Sequence, residues 1–336
     1  MSGAAESISR KIATAGDLEG VVRAMKALAV SSIGQYERSV LSLGDYYRTV
    51  ELGLSVCLRQ RGPAPREPHV SGSGHAPVGA IVFGSDQGLV GRFNEEIVEF
   101  AKKTLGALPG KTSRIWAVGE RAHALLSETG NTQPGILPLP DSVVAITPLI
   151  GQILIDVQQA IDKGDVVDVF LFHNKPKEGS AYEPISRKLL PLDHGWQTHL
   201  AAIPWPTKIP PEVIEGPTPA LPEFVRGYFF VLLFQACAES LAAENASRLS
   251  AMQRAEKNID DMLVDLNRGF HRMRQEAIDE ELFDVIAGYE ALSKTDRGNA
   301  SAKSLSTDDE FLKLHASEQE GRGFGGPQSD EKNTVT

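Results

Sequence analysis

The stretch Leu249–Ala277, LSAMQRAEKNIDDMLVDLNRGFHRMRQEA, decides how this chain folds. Its apolar residues form a seam of two alternating positions, Met252, Ile259, Leu266 and Met273 at one, and Leu263, Phe270 and Ala277 at the other. Within each position the residues recur at intervals of seven. A heptad pattern of this length favours left-handed coiling with a partner helix. The seam therefore predicts a coiled coil.

The seam belongs to a longer region, from Glu223 to Ser293, that lacks proline and is rich in helix-forming residues. If it is helical throughout, about seventy residues at 1.5 Å each give a rod of roughly 100 Å. Globular helices average about a dozen residues, so the length disfavours the alternative of an ordinary bundle helix. We expect three parts: an apolar root at Phe224–Cys237, the heptad shaft at Leu249–Ala277, and a tip at Ile278–Leu292 whose apolar stripe is rotated.

The root is too short to cross a membrane. Its most apolar run is Tyr228–Phe234, whereas a bilayer span needs about twenty apolar residues. We therefore expect this run to be buried against a protein domain.

The first part of the chain provides the predicted partner helix. Residues Glu6–Gln60 contain no proline, and an apolar series begins at Ile8 and Ile12. Four glycines, the first of them Gly16, each cost roughly 1 kcal/mol in a helix interior. We therefore expect a bend or a frayed turn at one of them or between Ala13 and Asp17. The helices at 1–60 and 223–293 are predicted to pair antiparallel.

The middle of the chain alternates strands with helices. The predicted strands are Val78–Phe83, Arg114–Val118 and Asp165–His173, and the predicted helices are Asn94–Leu105, with Asn94 as its cap, Glu120–Glu128 and Leu149–Lys163. This order indicates an α/β layer with a mostly parallel sheet. The predicted fold class is therefore α/β: a long antiparallel coiled coil plus a central Rossmann-like domain at 78–203. A linker at 61–77, a proline-rich connection at 204–222 and a disordered polar tail at 294–336 complete the predicted organisation.

Composition narrows the function. The formal net charge of −10 argues against a general nucleic-acid binder. Cys57 and Cys237 have no metal-binding spacing and favour a reduced, cytoplasmic protein. Residues Met1–Arg10 lack the apolar core of a secretory signal.

The glycine-rich turn Gly84–Gly91 is where an enzyme hypothesis would start. Its spacing, GxxxGxxG, matches neither a dinucleotide fingerprint nor a phosphate loop. The histidines are scattered, so we predict no catalytic residue, no metal ligand and no cofactor. Two alternatives stay open, a nucleotide-binding α/β enzyme that uses this turn and a non-catalytic coiled-coil adaptor.

Several motifs together resemble the ATP synthase gamma subunit. They are VRAMKALA at Val22–Ala29, GSDQGLVG at Gly84–Gly91, AENASRLSAM at Ala243–Met252 and RQEAI at Arg274–Ile278. The resemblance runs in order from about Ile8 to Leu292. The chain is thus similar to a somewhat divergent member with a C-terminal extension.

The resemblance implies a central-stalk rotor without an active site. Such a subunit transmits torque between a membrane ring of c subunits and a hexamer of alpha and beta subunits, and so couples ion translocation to ATP synthesis or hydrolysis. The implied partners are alpha, beta, epsilon and the c ring, with only indirect membrane contact at the cytoplasmic face of a bacterial inner membrane. Whether H⁺ or Na⁺ is moved stays open.

By the same resemblance, Met25, Lys26, Arg274 and Gln275 match positions that contact or face the beta subunits. The residues of 294–336 lie beyond the part that resembles the family. We hypothesise that this tail restrains rotation.

Overall fold

The computed structural model describes residues 3–61, 76–128, 135–178, 180–192, 194–209, 211–214 and 216–315. Its elements in chain order are α1 (Gly3–Arg61), β1 (Val78–Phe83), α2 (Phe93–Gly106), β2 (Thr112–Val118), α3 (Glu120–Ser127), β3 (Gly135–Leu137), α4 (Val143–Asp162), β4 (Asp168–Lys177), β5 (Ser180–Leu190), α5 (His194–Ala202) and α6 (Pro217–His315). Two compact units result, with boundaries between Ala13 and Thr14 and between Leu263 and Val264.

The larger unit contains a five-stranded sheet in the order β3-β2-β1-β4-β5. The pairs β1–β2, β1–β4 and β2–β3 are parallel, and β4–β5 is antiparallel. The predicted α/β class with a mostly parallel sheet is therefore confirmed. The sequence interpretation missed β3, β5 and α5. Strand β3 has only three residues, and β5 carries Pro184 in an edge strand, where proline is tolerated.

Both faces of the sheet are covered, as expected for parallel strands. In β1 the side chains alternate, so Val78, Ala80 and Val82 pack in a core that also contains residues of α2 and α3. Ile81 and Phe83 point to the opposite face, into a core shared with α1, α4 and α6. Every residue of β1 is consequently buried.

Helices α1 and α6 pack antiparallel within the larger unit. Three contacts follow one another in opposite chain order. Lys26 pairs with Glu256, the rings of Tyr47 and Tyr228 stack with centroids 5.9 Å apart, and Gly53 lies against the ring of Phe224. This arrangement agrees with the predicted pairing of the terminal helices.

The smaller unit contains the start of α1, up to Ala13, and α6 from Val264 onward. Ala5 is buried here. A Cβ atom at Gly269 would lie 3.9 Å from Cδ1 of Ile8, so the two helices are also in contact within this unit.

Two predicted boundaries of the last helix need correction. Helix α6 begins at Pro217 instead of Glu223, because proline is tolerated in a first helical turn, where its missing N–H has no acceptor. It continues to His315, beyond the predicted end at Ser293, and residues 294–315 contain no proline. The rest of the predicted tail and residues 62–75 of the predicted linker lie outside the described residues.

The frayed turn predicted as one of two possibilities for the first helix is not present, whereas the bend stays a prediction. Helix α1 is continuous from Gly3 to Arg61 and includes Gly16, Gly20, Gly34 and Gly44. We infer that packing against α6 and the α/β core offsets the roughly 1 kcal/mol that each glycine costs.

Within the described part of the chain, α4 and the stretch of α6 from Pro217 to Glu290 are long and apolar enough to cross a membrane by length and composition alone. In α4, Ile146, Ile150 and Ile153 are fully buried in the core of the α/β domain. In α6, the most apolar run, Tyr228–Phe234, packs into the same core. The core of the larger unit therefore buries 33% of the apolar window of α4 and 56% of that of α6.

Candidate functional site: the base of the coiled coil

The glycine turn after β1 is held by its own hydrogen bonds. The amide of Gly84 donates to the carbonyl of Val118 at 2.9 Å, and the amide of Ser85 donates to Oδ1 of Asn94 at 2.9 Å. Nδ2 of Asn94 in turn donates to Oγ of Ser85 at 2.8 Å. A Cβ at Gly84 would lie only 2.3 Å from Cβ of Ala122, so this position requires glycine.

These bonds correct one prediction and weaken one alternative. Asn94 is not the cap of α2, whose cap position is Arg92, because its side chain turns back to Ser85. A phosphate-binding loop keeps its backbone N–H groups free for the ligand. Here the amides of Gly84 and Ser85 are already used within the protein, which disfavours a nucleotide site at this turn.

The second half of the turn, residues Leu89–Gly91, packs against α6. Leu89 and Gly91 both have positive φ, 62° and 60°, a conformation that costs an ordinary residue such as leucine about 1–2 kcal/mol. Between them Val90 is buried, and its carbonyl accepts a hydrogen bond from Oγ of Ser247 at 2.5 Å. Leu89 itself remains 63% exposed. The turn thus attaches the α/β domain to the shaft helix and presents an apolar side chain.

A buried polar contact joins β4 to α6 just after its apolar root. Nε2 of His173 lies 2.9 Å from Oε2 of Glu239, and Nε2 of Gln235 donates to Oε1 of Glu239 at 2.8 Å. Burial lowers the pKa of His173 more than Glu239 raises it. Burial raises the pKa of Glu239, but the hydrogen bonds from His173 and Gln235 outweigh it and leave that pKa lowered. We conclude that a neutral His173 donates to a charged Glu239.

A second buried carboxylate lies one turn further along α6. Nη2 of Arg248 donates to Oε1 of Glu244 at 2.6 Å, and Nη1 of Arg248 donates to Oδ1 of Asn245 at 3.3 Å. Oε2 of Glu244 is buried and has no hydrogen-bond partner in the described part of the chain. Burial is the main cause of its raised pKa, Asp86 adds to the shift, and Arg248 opposes it.

The larger unit contains the first three residues of the predicted seam. Met252 and Ile259 are buried in a cluster with Ala15 and Val22 of α1, and Leu263 packs at its edge. The remaining seam residues, Leu266, Phe270, Met273 and Ala277, lie in the smaller unit. There the first three are half-buried and Ala277 is exposed.

The sequence model of a protein family described as ATP synthase matches residues 4–292. The chain belongs to the ATP synthase gamma family. Curated relatives include the ATP synthase gamma chain of Rhizorhabdus wittichii, which is 26% identical over 85% of this chain and 99% of its own length. The gamma chain of Bdellovibrio bacteriovorus is 24% identical over 85% of this chain and 98% of its own length.

Solved structures show the same fold. A rotor chain of the Euglena gracilis mitochondrial ATP synthase matches with a TM-score of 0.54 at 14% identity, covering 83% of this chain and all of its own length. A chain from a second structure of that enzyme, with F1 and the c-ring, has a TM-score of 0.57 at 14% identity and covers 87% and 95% of the two chains. The long terminal helices around an α/β domain are therefore a fold that this chain shares with those two chains.

The residues predicted to contact the beta subunits fall in two different environments. Met25 packs at the edge of the seam cluster, and Lys26 forms an ion pair with Glu256 of α6. Arg274 and Gln275 are exposed. In this gamma-family chain, therefore, the first two contact α6 directly, whereas the other two are free to meet a partner protein.

The tip of α6 exposes a run of large apolar side chains. They are Ile278, Leu282, Phe283, Val285, Ile286, Tyr289 and Leu292. The family match ends at residue 292, although the helix continues to His315. The sequence interpretation anticipated this apolar stripe but missed the Ser247–Val90 and His173–Glu239 contacts, because their partners are far apart in sequence.

Proposed function

We propose that the chain is the rotor of a membrane-associated F-type ATP synthase and transmits torque between a c-subunit ring and a catalytic hexamer of alpha and beta subunits. It couples ion translocation to ATP synthesis or hydrolysis without an active site of its own. Family membership supports the place in the complex. The observation that carries the mechanical role is the fixed attachment of the shaft helix α6 to both α1 and the sheet.

A rotor must resist twisting, and the packing within the larger unit supplies that resistance. The apolar root of α6 is buried in the same core as Leu54 of α1 and Ile81 of β1. Closer to the end of the larger unit at Leu263, Met252 and Ile259 of α6 are buried against α1. Close-packed interiors deform little under load, so the part of α6 within the larger unit and the α/β domain turn together.

A rotor must also present different faces to identical surroundings. At 100° per residue, Arg274 lies on the same side of α6 as the exposed residues Ile278 and Leu292, so this side carries a cation followed by apolar groups. By this proposal Arg274 and Gln275 bind beta subunits directly, whereas Met25 and Lys26 position the shaft from inside. The complex also includes epsilon and contacts the membrane only through the c ring, at the cytoplasmic face of a bacterial inner membrane.

Reconstitution tests the proposal. The full chain is combined in vesicles with the other subunits of a complete F-type ATP synthase, including alpha, beta, epsilon and the c ring, and ATP hydrolysis and ion uptake are measured together. We expect ion uptake only when the chain is present. An adaptor would associate without altering the ATPase, and a nucleotide-binding enzyme would bind cofactor tightly by itself, so either result contradicts the proposal.

A matched pair of variants tests the mechanical role. Ile259→Ala removes a buried contact between the helices, whereas Asp260→Ala changes the neighbouring exposed residue. We expect the first to reduce the ions moved per ATP and the second to leave this ratio unchanged. An equal ratio for both variants would argue against a shaft whose stiffness depends on its seam.

A further inference from the structure

A cavity of about 330 Å³ lies in the larger unit where α1, α6, the glycine turn and the segment before α4 meet. Small-molecule sites begin at about this volume. One part of its lining is apolar and includes Leu28, Leu139 and Leu241. The cavity is thus large enough for a short aliphatic molecule.

The charged groups around the cavity are mainly acidic. Asp86, Asp141 and Glu244 line it, whereas Arg248 is its one basic side chain, and Arg248 already donates to Glu244. The carboxyl groups lie at increasing depth, since Asp141 is exposed, Asp86 is half-buried and Glu244 is buried. The excess of negative charge therefore comes from Asp86 and Asp141, whereas Arg248 balances Glu244 at the floor and leaves its Oε2 unpaired within the ranges that the structure describes.

Two observations indicate that these groups act on the same space. Besides burial, the charge of Asp86 raises the pKa of Glu244, and besides burial, Glu244 and Asp141 both raise the pKa of Tyr36, another lining residue. At the floor, Oε2 of Glu244 has no hydrogen-bond partner among the described residues. Buried acceptors are normally satisfied, so a donor from a ligand suits this position.

The spacing of the carboxylates limits the type of cation. Among the described residues no group of three or more Asp, Glu, His or Cys side chains could hold a metal ion. The acidic groups are instead distributed along the cavity beside apolar side chains. A ligand with positive charges separated by a hydrocarbon chain fits this pattern.

We propose that the cavity binds a small aliphatic diamine, with one ammonium group at Glu244 and the other at Asp86 and Asp141. The alkyl chain lies against the apolar wall. This binding is independent of the proposed rotation.

Calorimetric titration of the full-length chain with 1,4-diaminobutane, at constant ionic strength, tests the proposal. We expect saturable binding of one diamine per chain and no binding of 1,4-butanediol, which has the same chain length without the charges. The double variant Asp86→Asn/Asp141→Asn should weaken binding at least about tenfold. Oδ1 of Asp86 accepts a hydrogen bond from the amide of Glu120 at 3.0 Å. Asparagine at position 86 keeps an oxygen that can accept this bond. The control Asp260→Asn, at an exposed position of α6 outside the cavity, should stay within about twofold.

Substitution of Glu244 would leave Arg248 without its buried partner and could unfold the chain. The role of the buried end of the cavity is therefore tested with a substitution in α1. Ser32 lines the cavity, and Ser32→Lys adds an ammonium group that competes with the ligand. We expect this variant to fold, as judged by circular dichroism, and to lose diamine binding. The proposal is overturned if Ser32→Lys binds the diamine with unchanged affinity. It is also overturned if every variant binds the diamine equally weakly, or if the unmodified chain shows no saturable binding.

Discussion

Ser247 of α6 donates a hydrogen bond from Oγ to the carbonyl oxygen of Val90 at 2.5 Å, and both residues are buried. The two residues are separated by most of the α/β domain in sequence. This bond attaches the shaft helix to a turn that contains two residues with positive φ, Leu89 and Gly91. The contact therefore stabilises a strained turn and fixes α6 at the same time.

Replacement of Ser247 by alanine should lower the free energy of unfolding by about 1 kcal/mol, the usual net value of one buried hydrogen bond. Denaturant unfolding of the full chain, followed by circular dichroism, measures this change. The control is Ser250→Ala on the same helix, where the hydroxyl accepts only from an exposed Arg254. Its effect should stay within about 0.5 kcal/mol. Equal effects of the two substitutions would show that the Ser247–Val90 bond contributes nothing.

Two glycines of α1 should respond oppositely to alanine. Gly44 has open space around its Cβ position, whereas a Cβ at Gly53 would lie 2.2 Å from Cε1 of Phe224. Gly44→Ala should therefore raise the free energy of unfolding by about 0.5–1 kcal/mol through helix propensity. Gly53→Ala should lose that gain and become destabilising, because the Phe224 ring must move. Thermal unfolding of both variants compares them, and a similar stabilisation by both would contradict the close packing of α1 on α6.

The buried His173 predicts a pH dependence of stability. Burial lowers its pKa below the ordinary 6.5, so the unfolded chain takes up a proton at a higher pH than the folded one. The stabilisation is fully present above pH 6.5 and is lost as the pH falls toward the folded pKa. His173→Gln keeps a donor for Glu239 but cannot titrate. The variant should therefore lose less stability than the unmodified chain between pH 7 and pH 5.5.

Unfolding in urea at several pH values measures this difference. The control is His271→Gln, at an exposed position of α6, which should keep the pH dependence of the unmodified chain. If His173→Gln also keeps it, the buried histidine is not its source.

The part of the chain beyond residue 292, where the family match ends, is predicted to restrain rotation. Truncation after Ser293 should raise ATP hydrolysis by the reconstituted complex at least about twofold, which corresponds to roughly 0.4 kcal/mol. Truncation after His315 is the matched control, because it keeps the whole of α6 and shows whether the helical part is sufficient. If truncation after Ser293 leaves ATP hydrolysis and coupling unchanged, residues 294–336 do not restrain rotation.

Periodicity in the sequence was sufficient to predict the main elements. The heptads at Met252 and Ile259 predicted helix pairing, and the short apolar run Val78–Phe83 predicted a buried strand. Such patterns are local, since they depend on how side chains repeat along one helix or strand. The antiparallel partner in α1 followed from the same kind of pattern.

Other features depended on residues that are distant in sequence. Asn94 has the residue type of a helix cap, but its side chain bonds Ser85 instead. Lys26 matches a position facing a partner subunit, which stays a prediction, and within the chain it is paired with Glu256. No local pattern distinguishes these outcomes, because each depends on which element lies opposite.

The sequence by itself therefore determined the class of fold, the pairing of the two long helices and the family, because these rest on repeating patterns and on motifs in fixed order. Only the tertiary structure decided how the shaft is attached to the sheet. The bonds of Ser247 to Val90 and of His173 to Glu239 form because folding brings separate segments together and buries their polar groups. Buried polar groups must find a partner nearby, and only the packed chain specifies which partner that is.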